Sequence, residues 1–148
     1  MYKHILIPTD GSKVARKAIG AGIALAKELG ASVVGYCAAE AIEGGFYAEG
    51  ASVRPVAIKQ FLQETMAEQG QQYLAEIAQA CKVAGVACET LMTTPATPYQ
   101  GIIEAARKKK CDMILMASHG RGGLATLVLG SVTQKVLAHS KIPVLVYR

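Results

Sequence analysis

The residues best suited to chemistry form a glycine-rich stretch that directly follows a short apolar run. Residues 116–123 read Met-Ala-Ser-His-Gly-Arg-Gly-Gly, and a helical pattern begins after Gly130. Glycines let a backbone turn tightly and approach a ligand, so that successive N–H groups point at phosphate oxygens. A helix that starts at Ser131 adds unpaired N–H groups and the positive end of its dipole. The pattern indicates a phosphate site, although similar strand-to-helix turns also occur in α/β proteins that bind no nucleotide.

Polar side chains in and after this stretch have more than one available role. Ser131 and Gln134 have the spacing of a capping box, in which the serine oxygen accepts a backbone N–H. The same hydroxyl can donate its proton to a phosphate. Arg121 is equally suited to a phosphate contact and to a solvated position. We interpret His119 as a hydrogen-bonding loop residue rather than a catalyst.

The rest of the sequence alternates short apolar runs with longer helical patterns, as in βαβ units around a parallel sheet. Five strands are predicted, at residues 5–7, 32–37, 86–92, 113–116 and 144–146. Residues 39–54 have no clear period, which predicts a loop placed to fold over the site.

Three helices have readable signals at their ends or along their faces. The first is predicted between Ser12, as N-cap, and Gly30, as C-terminal cap, with Gly22 allowing close packing on the sheet. Residues 55–85 predict one long helix, or two that meet near Gly70. Residues 97–100 read Thr-Pro-Tyr-Gln, which predicts that the next helix starts with a capping box.

Composition narrows the class of protein. A chain of 148 residues with 51% hydrophobic residues is sufficient for one domain with a single core. No apolar run approaches the roughly 18 to 20 residues that span a bilayer, and the start lacks a signal-peptide pattern. We therefore expect a cytoplasmic protein without a membrane partner. The net charge is +5, but the basic residues are dispersed and aromatic residues are few, which disfavours a nucleic-acid partner.

The four cysteines lie apart from one another in the sequence. Cys37, Cys81, Cys88 and Cys111 form no C-x-x-C pair and no metal-ligand spacing with histidine. They are predicted to be buried, reduced thiols, which favours a reducing compartment.

From end to end, the sequence resembles the universal stress protein family. The shared features are residues 8–12, Pro-Thr-Asp-Gly-Ser, after the first strand, a long middle helix and a closing strand. The most specific match is the family's nucleotide motif, G-x2-G-x9-G-(S/T), in which Gly120, Gly130 and Ser131 are in register. Ala117 occupies the first glycine position. A glycine with positive φ there would make alanine unfavourable by about 1 to 2 kcal/mol, whereas a glycine that only permits close approach would tolerate the methyl group.

The resemblance implies a fold and a site. The fold is a single Rossmann-like domain over residues 1–148, a three-layer α/β sandwich around a five-stranded parallel sheet of order 3-2-1-4-5. The ligand is then expected between strands 1 and 4, where the order reverses. It would be ATP, or AMP or ADP, with Mg²⁺ or Mn²⁺ held mostly by phosphates and water. Asp10 is the candidate side chain near the metal and phosphates, and its alternative role is to form a turn.

The residues carried over from the family fall into three groups. Those near the adenosine and the metal–phosphate region are Pro8, Thr9 and Asp10. Cys37 is expected to face the adenine through its backbone. The nucleotide-binding residues of the motif region are Met116, Ala117, Ser118, His119, Gly120, Arg121, Gly122, Gly123, Gly130, Ser131, Val132 and Thr133.

The leading hypothesis is a nucleotide-binding stress-response protein in which ATP occupancy alters dimerisation or partner binding. A nucleotide-free dimeric scaffold of the same family and a slow ATPase are the alternatives. The H-I-G-H and S-G-G-x-D-S motifs of related ATP-using enzymes are missing from the sequence. A homodimer is expected through the fifth strand, residues 142–147, because an edge strand presents unpaired backbone groups.

Overall fold

The computed structural model describes residues 1–40, 55–121 and 128–148. Strands and helices alternate along most of the chain, and all five predicted strands are confirmed. The elements are β1 (His4–Pro8), α1 (Lys13–Leu29), β2 (Ser32–Ala38), α2 (Pro55–Ala84), β3 (Cys88–Thr93), α3 (Pro98–Lys108), β4 (Met113–Ala117), α4 (Ser131–His139) and β5 (Val144–Tyr147). The predicted loop after residue 40, as well as Gly122 and Gly123, lies outside the described residues.

The five strands form one parallel sheet in the order β3-β2-β1-β4-β5, as expected. Successive residues of a strand point to opposite faces, so β1 sends Ile5 and Ile7 to one side of the sheet and Leu6 to the other. Ile5 and Ile7 join a core that includes Ile77 of α2, whereas Leu6 packs in a second core with Ile102 of α3. Helices therefore cover both faces, and the three-layer α/β sandwich is confirmed.

Helix α1 has both predicted caps. Ser12 Oγ accepts a hydrogen bond from the backbone N–H of Ala15 at 3.1 Å. Gly30 ends the helix in the left-handed region, with φ of 61°. A Cβ added to Gly22 would lie 2.6 Å from Ile7 Cδ1, so the glycine lets α1 pack directly on the sheet. The helix is thereby fixed above the strand that leads into the candidate site.

Helix α2 is continuous over its 30 residues, which decides between the two predicted arrangements. Gly70 lies within it and is buried. A Cβ there would lie 2.8 Å from Met92 Sδ, so this glycine allows α2 to approach β3 rather than breaking the helix.

The two predicted capping boxes are wrong. Thr97 is the N-cap residue of α3, but its Oγ1 donates to Gln100 Oε1 at 2.7 Å and accepts no backbone N–H. The N-cap of α4 is Gly130, and Ser131 is already the first helical residue. At α4, a long-range hydrogen bond from the backbone N–H of Gly130 to the C=O of Ser118 fixes the turn before Ser131.

All four cysteines are free thiols as predicted, but the prediction that all four are buried is wrong for Cys88. Cys37, Cys81 and Cys111 are buried and Cys88 is partly exposed, and none forms a disulfide with another described residue. Burial raises the pKa of the Cys81 thiol to about 12 and that of Cys111 to about 11. No helix in the described part of the chain is long and apolar enough to cross a membrane.

Candidate functional site

A cavity of about 360 Å³ opens at the carboxyl ends of the central strands. Its volume falls within the range of small-molecule sites. It lies where the strand order reverses between β1 and β4, the position at which open α/β sheets bind ligands. The described residues that line it are Pro8, Thr9, Asp10, Ala15, Tyr36, Ala38, Glu40, Pro98, Ile102, Met116, Ala117, His119, Gly120, Gly130, Ser131, Val132 and Thr133.

One side of the cavity is mainly apolar and comes from β2 and α3. Tyr36 and Ala38 reach it from the end of β2, and Pro98 and Ile102 reach it from the first turns of α3. Tyr36 is fully buried, and its hydroxyl is hydrogen bonded to Thr93 Oγ1 at 2.7 Å. Burial raises the pKa of this phenol, so Tyr36 stays neutral. Its hydrogen bond to Thr93 holds the ring in place as part of the cavity wall. Such a surface suits a flat, largely apolar group.

Another part of the lining comes from the first turn of α4. The backbone N–H groups of Ser131, Val132 and Thr133 have no carbonyl partner within the helix, because the first turn of any helix lacks one. No side chain caps this turn among the described residues, and all three residues line the cavity. Thr133 Oγ1 donates to the C=O of Ala117 at 3.0 Å, which holds the start of α4 against the end of β4. The positive end of the helix dipole is therefore fixed at the cavity.

Gly130 brings two stretches of backbone into contact. Its N–H donates to the C=O of Ser118 at 2.8 Å, and an added Cβ would lie 3.0 Å from His119 Cα. Its φ is −61°, which any residue adopts. The position favours glycine because of close approach and not because of an unusual backbone conformation.

Ala117, at the first motif position, has ordinary strand geometry. It is the last residue of β4, is paired with Tyr147 of β5 and lines the cavity. Among the described non-glycine residues, Lys110 alone has a positive φ. Alanine therefore introduces no backbone strain here, and of the two explanations for the family's glycine only close approach remains relevant to this chain.

Asp10 ties the end of β1 to both neighbouring turns. Its Oδ1 accepts from the backbone N–H of Ser12 at 2.9 Å, and its Oδ2 accepts from the backbone N–H of Arg121 at 3.0 Å. A Cβ on Gly120 would fall on Asp10 Oδ2, so that glycine makes room for the carboxylate. Each carboxylate oxygen retains a lone pair, since a carboxylate offers about four acceptor sites. The turn-forming role is present, and the carboxylate can still accept from a metal-bound water.

Comparisons with known proteins identify the family to which this chain belongs. The model of the universal stress protein family matches residues 1–148. The universal stress protein MJ0531 of Methanocaldococcus jannaschii is 36% identical over 149 aligned residues, which cover 100% of this chain and 83% of that protein. The chain belongs to the universal stress protein family.

Two solved structures share the fold of this universal stress protein. The protein MJ0577 has a TM-score of 0.80 at 28% identity, with 99% of this chain and 95% of that chain covered. A universal stress protein from Archaeoglobus fulgidus, solved in complex with dAMP, has a TM-score of 0.66 at 17% identity, with 99% and 98% covered.

The structure brings most of the predicted site residues of this universal stress protein to one cavity. Those that line it are Pro8, Thr9, Asp10, Met116, Ala117, His119, Gly120, Gly130, Ser131, Val132 and Thr133. Thr9 is buried, and its Oγ1 accepts from the N–H of Gly11 at 3.1 Å. Among the described residues, no group of three or more His, Cys, Asp or Glu side chains could by itself hold a metal ion.

Of the predicted residues that the structure describes, three are not among those lining the cavity. The side chain of Cys37 lies in the core on the α2 side of the sheet, and burial raises its pKa. Ser118 is buried, and its Oγ is 3.0 Å from His119 Nδ1. Arg121 Nε donates to the C=O of Asp10 at 2.7 Å, and its terminal nitrogen donates to Tyr73 Oη at 2.6 Å.

The prediction did not include the apolar side of the cavity. Tyr36 and Ala38 flank Cys37, and strand alternation places them on the opposite face from the Cys37 side chain. Strand alternation could therefore have predicted that Tyr36 and Ala38 line the cavity. Glu40, Pro98 and Ile102 carried no motif that links them to the glycine-rich stretch.

Proposed function

We propose that this universal stress protein binds an adenine nucleotide, above all ATP, in the cavity between the ends of β1 and β4. The observation that carries the proposal is the uncapped first turn of α4, whose residues line a cavity that also has an apolar wall. A helix N-terminus without side-chain caps attracts anions, because its dipole and unpaired N–H groups act together. The phosphates would lie at Gly130 and Ser131.

The base would lie against the side formed by Tyr36, Ala38 and Ile102. An adenine ring is flat and largely apolar, and this wall is fixed by burial and by the Tyr36 hydrogen bond to Thr93. The dAMP complex of the Archaeoglobus fulgidus protein supports adenine as the base, because that protein has the same fold. The ribose would then lie near Thr9 and Asp10.

A divalent cation, Mg²⁺ or Mn²⁺, fits the site as a partner of the phosphates. Asp10 and Glu40 are the carboxylates among the described lining residues, and Asp10 is already bonded to two backbone N–H groups. Mg²⁺ commonly keeps several waters and binds through substrate phosphates and one or two carboxylates. When bound, the cation would neutralise phosphate charge, while Asp10 would orient its water shell.

The biological role proposed here is regulation in the stress response, with nucleotide occupancy altering dimerisation or the binding of a partner. A bound nucleotide would contact β1, β4 and α4 at the same time, because residues of all three elements line the cavity. The free thiols of this protein support a cytoplasmic setting, because reduced cysteines are typical of reducing compartments.

Mass spectrometry of small molecules released from the purified protein would test the proposal most directly. We expect an adenine nucleotide, and we expect calorimetric titration of stripped protein to give tighter binding of Mg-ATP than of Mg-GTP. Incubation with ATP, followed by assay of ADP, would separate simple binding from slow hydrolysis. If stripped protein bound neither ATP, ADP nor AMP, the nucleotide-free scaffold would replace this proposal.

A further inference from the structure

Tyr73 lies on α2 outside the cavity, yet it contacts both segments that frame the phosphate end. Its hydroxyl accepts a hydrogen bond from the Arg121 guanidinium at 2.6 Å, and the Arg121 Cζ lies 5.5 Å from its ring centre. The ring also covers Gly11, where an added Cβ would fall on it. Gly11 has a φ of 76°, so glycine is favoured there on both grounds.

Arg121 is held at three points. Its Nε donates to the C=O of Asp10 at 2.7 Å, its backbone N–H donates to Asp10 Oδ2 at 3.0 Å, and its terminal nitrogen donates to Tyr73. Arg121 directly follows Gly120, which lines the cavity. The orientation of the Gly120–Arg121 peptide therefore depends on where the guanidinium is anchored.

We propose that Tyr73 is a positioning residue for residues 118–121, the start of the phosphate loop, and that it acts through Arg121. The aromatic ring holds the guanidinium by a hydrogen bond and a cation–π contact, and the guanidinium holds the loop against Asp10. The consequence for affinity rests on the proposed nucleotide function. The consequence for the loop itself does not, because the contacts are present without ligand.

The coupling also gives α2 a connection to the occupied site. If the Tyr73–Arg121 contact favours phosphate binding, then bound phosphate favours that contact by the same factor. Nucleotide occupancy would in this way be transmitted to a helix on the far side of the sheet from α3.

Tyr73→Phe is the sharpest test, because it keeps the ring over Gly11 and removes only the hydroxyl. In ligand-free protein we expect exchange of the Arg121 backbone amide, followed by NMR, to become faster by about threefold to tenfold. We expect the affinity for Mg-ATP to fall by a similar factor and the affinity for adenosine, which has no phosphate, to stay unchanged. Tyr2→Phe is the matched control, because Tyr2 precedes β1 at the opposite end of the sheet.

A double-mutant cycle with Arg121→Ala tests whether Tyr73 acts through Arg121. If it does, Tyr73→Phe has no further effect on amide exchange at Gly120 or on Mg-ATP affinity in the Arg121→Ala background. Equal losses for adenosine and ATP, or additive losses in the double variant, would overturn the proposal. If wild-type protein bound no nucleotide, the proposed function would fail. The positioning role would then be rejected by unchanged exchange of the Arg121 amide in Tyr73→Phe.

Discussion

At the scale of single residues, the phosphate end of the cavity depends on the absence of a side chain at Gly130. Any β-carbon there meets His119 Cα at 3.0 Å and the C=O of Ser118 at 3.4 Å. These are backbone neighbours that cannot rotate away, so the two segments must separate. The same separation would lengthen the Gly130–Ser118 hydrogen bond that sets the start of α4.

Gly130→Val should therefore weaken Mg-ATP binding by at least about tenfold, which corresponds to about 1.4 kcal/mol, the lower part of the range for overpacking. Ser131→Ala is the control, and it should weaken binding less, because the N–H groups of the helix remain and one hydroxyl is lost. Calorimetric titration of stripped proteins measures both effects, with circular dichroism to verify folding. Unchanged affinity in folded Gly130→Val would make the glycine motif a structural turn only.

Restoring glycine at the first position of the family's motif should, unlike Gly130→Val, have little effect on affinity. Ala117 has a normal strand conformation, so Ala117→Gly relieves no backbone strain. We expect Mg-ATP affinity to change by less than about threefold, or about 0.65 kcal/mol. Thermal unfolding should show a loss of about 0.5 to 1 kcal/mol, because glycine has more freedom in the unfolded chain. A large gain in affinity would instead show that the methyl group obstructs the nucleotide.

At the scale of elements, α1 contains two glycines whose surroundings differ. Gly22 is pressed against the sheet, where a Cβ would lie 2.6 Å from Ile7 Cδ1 and 3.2 Å from Leu115 Cδ2. Gly20 lies in the same helix with nothing within 4 Å of the corresponding position. Substitutions at these two positions therefore distinguish the effect of helix propensity on stability from the effect of packing against the sheet.

Gly20→Ala should raise the free energy of unfolding by up to about 1 kcal/mol, since alanine is the better helix former. Gly22→Ala gains the same propensity but overpacks the interface, which typically costs about 1 to 3 kcal/mol. It should therefore be less stable than Gly20→Ala, and no more stable than wild type. Urea denaturation of the two variants measures the difference, and equal stabilisation by both would contradict the packing role of Gly22.

Local patterns along the sequence were sufficient to predict the five strands and helix α1. The five apolar runs and the caps at Ser12 and Gly30 act through neighbours in sequence, so they could be predicted. The start of α4 at Ser131 was predicted as well, but its cap was not, because Ser131 has the local pattern of a capping residue. In the structure Gly130 is the N-cap instead, and its N–H donates to the C=O of Ser118, which is not a neighbour in sequence.

The candidate site likewise has a part that local sequence patterns indicate and a part that they do not. The glycines and the hydroxyl of the motif are close in sequence, and Gly120, Gly130 and Ser131 line one cavity in the structure. The apolar wall is not local, because Tyr36 and Ile102 meet at the cavity only through the sheet order. The contact of Tyr73 with Arg121 joins residues 48 positions apart and likewise has no sequence motif.

At the scale of the whole molecule, one edge of the sheet is formed by the last strand. Among the described strands, β5 pairs with β4 and has no partner on its other side. Leu145 is 37% exposed there, and Val144 and Val146 are partly buried. An apolar edge strand with unpaired N–H and C=O groups favours association with a second copy. We therefore propose a two-fold symmetric homodimer through β5, since closed two-fold pairing is the commonest arrangement.

Leu145→Lys should convert this dimer to monomer, because a charge on an edge strand opposes pairing with another copy. Val83→Lys is the control, since Val83 is 79% exposed near the end of α2, far along the chain from β5. Light scattering should give twice the chain mass of 15.6 kDa for wild type and the control, and that mass once for Leu145→Lys. Deleting residues 144–148 should likewise remove the dimer or unfold the protein. A wild-type monomer, or a truncated or Leu145→Lys chain that stays dimeric, would exclude β5 as the interface.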